Sequence, residues 1–140
     1  MGRGAARVLL VDDDRVMRRM YRDCMANAGF DVTEESSAVD ALERLTQGEK
    51  FEVVVTDVMM ARMDGWEFLE RIRKDLRLGG LELPVIIISA HFDSDTLWAE
   101  AFRKGASATY TKAEPLSKLI NAVKIHTGTM RSRFDDDTQP

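Results

Sequence analysis

Three short apolar runs organise the chain: Val8-Leu9-Leu10-Val11, Val53-Val54-Val55 and Val85-Ile86-Ile87-Ile88. None alternates with polar residues, and β-branched side chains dominate the last two. Runs of this length and continuity fit strands covered on both faces, the condition of a parallel sheet between helices. Residues 31–34 and 107–111 are weaker strand candidates and complete a set of five.

Between the runs the apolar period becomes helical. Val16, Met17, Met20, Tyr21, Cys24, Met25 and Ala28 form one stripe, with arginines opposite. Asp14 stands where a cap accepts first-turn N–H groups, and Gly29 where the chain leaves the helix. Ser37 and Gly48 bracket a second helix over 38–47, and Asp64 opens a third that runs out before Gly79-Gly80. Asp93 or Ser94 opens a fourth, stopped by Gly105; the fifth covers about 115–127, with Pro115 in its first turn and Gly128 just past its end. A β-α order repeated five times, with right-handed connections, predicts a (βα)5 fold of the α/β class: a single-domain, doubly wound, five-stranded parallel sheet of the flavodoxin-like kind. The domain is expected over 6–127, with 128–140 a polar, acidic tail that is flexible or begins a linker.

Length and composition narrow the partners. The chain has 140 residues, enough for one core, and is 44% hydrophobic and 31% charged. With a net charge of -4, nothing argues for nucleic acid or an anionic membrane as a partner, and neither is expected. A single cysteine, Cys24, cannot close an internal disulfide and reads as a small buried apolar residue, so a cytoplasmic location is expected. The opening MGRGAARVLL fits neither a signal peptide nor a membrane span, and Ala6 stands where a myristoylation motif needs Ser or Thr. His91 and His126 lack ligand spacing, and the methionines fall mostly at core positions of the helices.

The candidate chemistry lies at the strand ends. Open α/β sheets gather functional groups at the carboxyl ends of their strands. Here those ends carry Asp12 and Asp13, then Thr56 and Asp57, then Ser89 and Ala90, and finally Lys112. If the first, third, fourth and fifth strands lie side by side, these groups meet at one rim. Two unit charges ~4 Å apart repel by about 4 kcal/mol at an effective dielectric near 20. One lysine does not balance three carboxylates. A divalent, oxygen-seeking ion does, and Mg²⁺ suits a site with few protein ligands and several waters. Asp14 is assigned to capping. The second acid triplet, Asp135-Asp136-Asp137, has no apolar run before it and reads as solvated tail.

With these residues in place the chain resembles a known family, the receiver domain of two-component response regulators, the chemotaxis-type phosphoacceptor fold. The marks are ordered: an acid pair after strand one, Asp57 followed by Met60, Met63, Asp64 and Gly65, Ser89-Ala90 after strand four, Gly105-Ala106 before strand five, and Lys112 after it. The resemblance implies that Asp57 accepts a phosphoryl group from a sensor histidine kinase or phosphotransfer protein. It implies Mg²⁺, with Mn²⁺ able to substitute, ligated by Asp13, Asp57 and the main-chain carbonyl of Met59, with Asp12 holding a metal-bound water. Ser89 would hydrogen-bond a phosphoryl oxygen and Lys112 would pair with another. The output would be a downstream protein target or a fused effector domain. Such a domain is not an enzyme in the usual sense, since it catalyses only its own phosphotransfer and dephosphorylation.

Three positions depart from the family pattern. Thr109 stands where an aromatic switch residue is usual, and Tyr110, one residue later, points to the opposite face of a strand. Ala113 follows Lys112 where a cis proline is usual; a non-proline cis bond costs ~3–4 kcal/mol, so a trans bond is expected. Ala61 replaces a proline, which predicts a looser loop over the site. Met59 and His91, two residues past Asp57 and Ser89, are expected to shield the phosphoryl group in part. Trp98, Lys118 and Lys124 are candidate contacts on the fourth and fifth helices.

Two other readings fit parts of the chain. VLLVDDDRV also matches the opening motif of haloacid-dehalogenase-like phosphatases, with Asp12 as nucleophile and Asp14 as acid. That reading leaves Asp57 and Met63-Asp64-Gly65 unexplained and lacks a final acidic motif after a strand. A receiver-like module that acts by binding alone, without phosphorylation, is the other.

Overall fold

The computed structural model of the protein describes residues 4–90 and 94–128. Five strands form one sheet: β1 (Arg7–Val11), β2 (Asp31–Glu35), β3 (Val53–Asp57), β4 (Val85–Ser89) and β5 (Ala108–Thr111). All neighbours pair in parallel, in the order β2-β1-β3-β4-β5. Five helices alternate with them: α1 (Arg15–Asn27), α2 (Ala38–Thr46), α3 (Gly65–Glu70), α4 (Ser94–Lys104) and α5 (Leu116–His126). The five-fold β-α reading of the sequence is therefore borne out.

Strand parity divides the core into two layers. Leu9, Val11, Val54, Val85 and Ile87 pack against α2, α3 and α4 through Ala41, Leu45, Phe68, Leu69 and Ala101. Val8, Leu10, Val55, Ile86, Ile88 and Tyr110 face the other way, onto Tyr21 and Met25 of α1 and Leu119 and Val123 of α5. Because both faces are covered, the central strands are apolar except at their ends, and this makes them legible as runs. The edge strand β2 reads differently because only part of it is covered. Its carboxylates take arginine partners: Arg18 Nε lies 3.0 Å from Glu34, Arg7 Nε 3.9 Å from Asp31, and Arg44 bonds Glu35.

Three capping residues read from the sequence act as caps, while Asp93 lies outside the described residues. Asp14 accepts from the N–H groups of Val16 and Met17, Ser37 from Asp40, and Asp64 from Glu67. Each such cap stabilises its helix by about 1 kcal/mol. The third helix ends before Gly79-Gly80, as expected, but α3 gives way at Arg71–Asp75 to a π-helical turn that Leu76 caps. Arg73 occupies that turn and donates from Nε to the Gly105 carbonyl (2.9 Å) and from Nη1 to the carbonyls of Leu78 (2.8 Å) and Leu83 (2.7 Å). A guanidinium reaching three carbonyls off the helix axis favours the wider turn. Pro115 is the N-cap of α5 rather than its first helical residue.

Candidate functional site

The ladder continues one residue past three strand ends. Asp12 N–H donates to the Glu35 carbonyl (3.2 Å), Val58 N–H to the Ile88 carbonyl (3.1 Å) and Lys112 N–H to the Ser89 carbonyl (2.9 Å). Strand alternation therefore carries Asp12 beyond Leu10, Asp57 beyond Val55 and Lys112 beyond Tyr110, all on the α1/α5 side. The register sets β1, β3, β4 and β5 level, with Val11 opposite Thr56, Asp57 opposite Ile88, and Ser89 opposite Thr111.

Asp57 is buried. Its Oδ1 accepts the Val58 N–H at 2.8 Å, and its Oδ2 lies 3.3 Å from Lys112 Nζ. Asp12 is 1% exposed. One oxygen, Oδ1, accepts the Asp14 N–H at 2.9 Å, while Oδ2 is buried with no hydrogen-bond partner. Burial pushes the Asp12 carboxyl up to about 6, the Asp14 N–H opposes this, the Asp57 charge adds to it and the Lys112 charge opposes it. Asp13 is exposed and reaches over the rim, where its Oδ2 accepts the Ala61 N–H at 3.2 Å. Ser89 is buried at the end of β4. Met59 is 74% exposed, so its side chain lies mostly in solvent beside Asp57.

The sequence-predicted groups are thus brought to one rim, though unevenly. Asp12, Asp57 and Lys112 form the buried floor, with Ser89 buried at the neighbouring strand end, and Asp13 and Met59 stand at the lip. Among the described residues no three His, Cys, Asp or Glu groups form a ready-made metal cage. The donors present are oxygens, and a buried carboxylate oxygen without a partner is stabilised by a cation, a proton or a hydrogen-bond donor. The set fits a hard divalent ion that keeps several waters.

Several contributors were missed in the sequence. Gly65 is needed for contact: a Cβ there would sit 2.3 Å from the Asp57 carbonyl oxygen, and its N–H already donates to the Val58 carbonyl at 2.9 Å. Asp64-Gly65 was recognised only as a mark, because a close approach between chain segments leaves no local signal. The expected looseness at Ala61 is offset by its bond to Asp13, which proline could not make for want of an N–H. Arg18 was read as solvent-facing, yet its Nη1 donates to the Asp12 carbonyl at 2.7 Å.

The other departures fall as follows. No peptide bond among the described residues is cis, so Lys112-Ala113 is trans. Tyr110 is buried in the α1/α5 layer and its hydroxyl donates to the Glu114 carbonyl at 2.7 Å, so it does not replace an aromatic at position 109. Thr109 instead borders a small hollow beside Trp98 and Phe102, whose exposed rings stack 5.1 Å apart. Lys118 is exposed and Lys124 half-buried. Asp14 is committed to its cap. His91 and the tail triplet lie outside the described residues.

Comparison with known proteins agrees with this arrangement. The model of the response regulator receiver domain family matches residues 8–124. Over 130 residues the chain is 34% identical to the two-component response regulator ARR12 of Arabidopsis thaliana, covering 92% of this chain and 20% of that protein. Over 133 residues it is 30% identical to the response regulator MprA of Mycobacterium ulcerans, covering 95% and 54%. The chain therefore spans about half or less of these relatives' length. Among solved structures, the receiver domain of the Francisella response regulator 1452 superposes with a TM-score of 0.78 at 27% identity, over 89% of this chain and 98% of that one. A CheY-like receiver domain protein from Methanospirillum hungatei gives 0.77 at 22% identity, over 93% and 99%, a likeness of fold alone. The matched span, the parallel sheet and the strand-end acids with their lysine lead to one conclusion: the chain belongs to the response regulator receiver domain family.

Proposed function

We propose that this domain is a phosphoacceptor, taking a phosphoryl group on Asp57 from the phosphohistidine of a sensor kinase or phosphotransfer protein. The observation that carries the reading is the ammonium of Lys112 3.3 Å from Asp57 Oδ2, beside a buried Asp12 oxygen that has no partner. An oxygen of Asp57 attacks phosphorus, the P–O bond forms as the P–N bond breaks, and the imidazole keeps the electron pair and takes up a proton. Lys112 sits where it can neutralise charge on a phosphoryl oxygen, and Ser89 lies at the strand end where its hydroxyl can donate to another. Asp13, Asp57 and the Met59 carbonyl would hold Mg²⁺, or Mn²⁺ in its place, with Asp12 holding one of its waters; the ion would neutralise charge on the transferring group. The domain catalyses its own modification and no other turnover.

Charge arriving on Asp57 draws Ser89 toward it, and the end of β4 follows. The surface that changes is the one bearing α4, β5 and α5, where Trp98 and Phe102 are exposed. The reader of that surface is a downstream protein or an effector domain fused to this one, in the cytoplasm. No helix among the described residues is long and apolar enough to cross a membrane.

Intact-mass analysis after treatment with a small phosphodonor tests this. The parent gains one phosphoryl group with Mg²⁺ and little without it, and Asp57→Asn gains none. Equal labelling of parent and Asp57→Asn would remove Asp57 from the role. A parent that takes no phosphate under any of these conditions favours the binding-only module, to which Thr109 already points. Met59→Asn probes the lip of the site: a polar side chain in place of the thioether admits water, and the phosphoryl lifetime shortens about threefold, a barrier change of roughly 0.7 kcal/mol. An unchanged lifetime rules out shielding by Met59.

A further inference from the structure

Beneath the acid pocket lies a second buried polar atom that the chemistry above leaves unused. Tyr21 is 1% exposed in the α1/α5 layer, and its hydroxyl has no hydrogen-bond partner. Helical side chains lean toward the N-terminus of their helix. The N-terminus of α1 lies at the carboxyl rim of the sheet, directly after Asp12, so the phenol of Tyr21 leans up toward the pocket floor. Leu10, Val55 and Tyr110 share its layer, and the next residues of that parity are Asp12, Asp57 and Lys112. Burial pushes the Tyr21 hydroxyl well up, the neighbouring Tyr110 hydroxyl adds to this, and the charges of Asp12, Asp57 and Asp14 push it further.

Two buried polar atoms, Tyr21 Oη and Asp12 Oδ2, therefore stand unpaired on the same side of the sheet. One is a donor and the other an acceptor. Each left unpaired is costly, and one internal water with both as partners removes both costs. We propose that Tyr21 is a positioning residue for the phosphoacceptor site, its hydroxyl bridged through a single buried water to the inner oxygen of Asp12. The bridge fixes the carboxylate so that it meets the hydrated metal ion without first reorienting. This rests on the phosphoacceptor reading, and it adds a residue that none of the strand-end marks includes.

Mg²⁺ binding by calorimetry on the full chain provides the test. Tyr21→Phe removes one oxygen and keeps the ring. It weakens Mg²⁺ binding about fivefold, the size of one buried hydrogen bond. Phosphodonor labelling slows at low Mg²⁺ and recovers at saturating Mg²⁺. Ile120→Val trims the same apolar layer away from the acids and leaves the affinity unchanged. Equal affinity in parent and Tyr21→Phe overturns the proposal, and so does an equal loss in Ile120→Val, which would mark general loosening. A crystal structure of the parent gives an answer independent of any variant: a water within about 3.2 Å of both Tyr21 Oη and Asp12 Oδ2 supports the bridge, and its absence overturns it. A parent that binds no Mg²⁺ overturns the reading of the site as well; a parent that binds it, with no effect of Tyr21→Phe, overturns only the bridge.

Discussion

Gly65→Ala lowers the stability of the domain by about 3 kcal/mol, and its labelling on Asp57 falls beyond what the loss of folded protein explains. The added methyl would stand 2.3 Å from the Asp57 carbonyl oxygen and 2.9 Å from Val58 Cα, both backbone atoms at the end of β3. Neither can retreat cheaply. Val58 N–H is tied to the Ile88 carbonyl at 3.1 Å, and its carbonyl accepts the Gly65 N–H at 2.9 Å. Relief therefore requires either the start of α3 to lift off the sheet or the Asp57 peptide to rotate. The first removes the cover over β3, and the second re-aims the carboxylate away from Lys112. A thermal melt reads the first as a fall of roughly 10 °C for a domain of this size. Labelling at a temperature where the variant is still folded reads the second. A variant that melts with the parent would mean the two segments are not in contact.

Asp12→Asn gains stability relative to the parent as the pH rises from about 4 to 6. The Asp12 carboxyl is pushed from an ordinary 3.8 up to about 6, chiefly by burial. Between those values the folded parent holds a proton that the unfolded chain has released. Raising the pH strips it and destabilises the fold, by about 3 kcal/mol once the pH is above 6. Below 3.8 both states are protonated and the effect is absent. Asparagine is neutral throughout, so the difference between variant and parent opens across this window and is flat above it. Denaturant unfolding at a series of pH values measures the difference directly, and a constant offset from pH 4 to 8 would show that Asp12 is not strained by its burial. On the proposed reading, Mg²⁺ narrows the gap above pH 6, because it supplies the parent with the positive charge the variant does not need.

Much of this was legible in the chain because the physics that sets it is local. A strand covered on both faces must be apolar along its middle, so β1, β3 and β4 stand out. A helix must satisfy its first N–H groups, so Asp14, Ser37 and Asp64 mark their starts. Strand ends collect function, so Asp12, Asp57, Ser89 and Lys112 can be gathered from the sequence. The features that were not legible depend on contacts between segments distant in sequence. Nothing near Gly65 says that Asp57 will pass within van der Waals distance, and nothing near Arg73 says that three carbonyls await it. The Ala61 N–H finds Asp13 across 48 residues. Tyr21 looked like one more apolar position on a helical stripe, because periodicity records where a side chain points and not what its polar end meets.

The charged edge of the sheet sets how copies of this molecule can meet. An open β-edge is a template for fibrils, since a neighbour's strand can add to it through main-chain bonds. Along β2, Asp31, Glu34 and Glu35 carry charge held by Arg7, Arg18 and Arg44, so an added apolar strand would meet ion pairs rather than an apolar face. That charge discourages, at the β2 edge, the slow conversion to amyloid that threatens exposed strands.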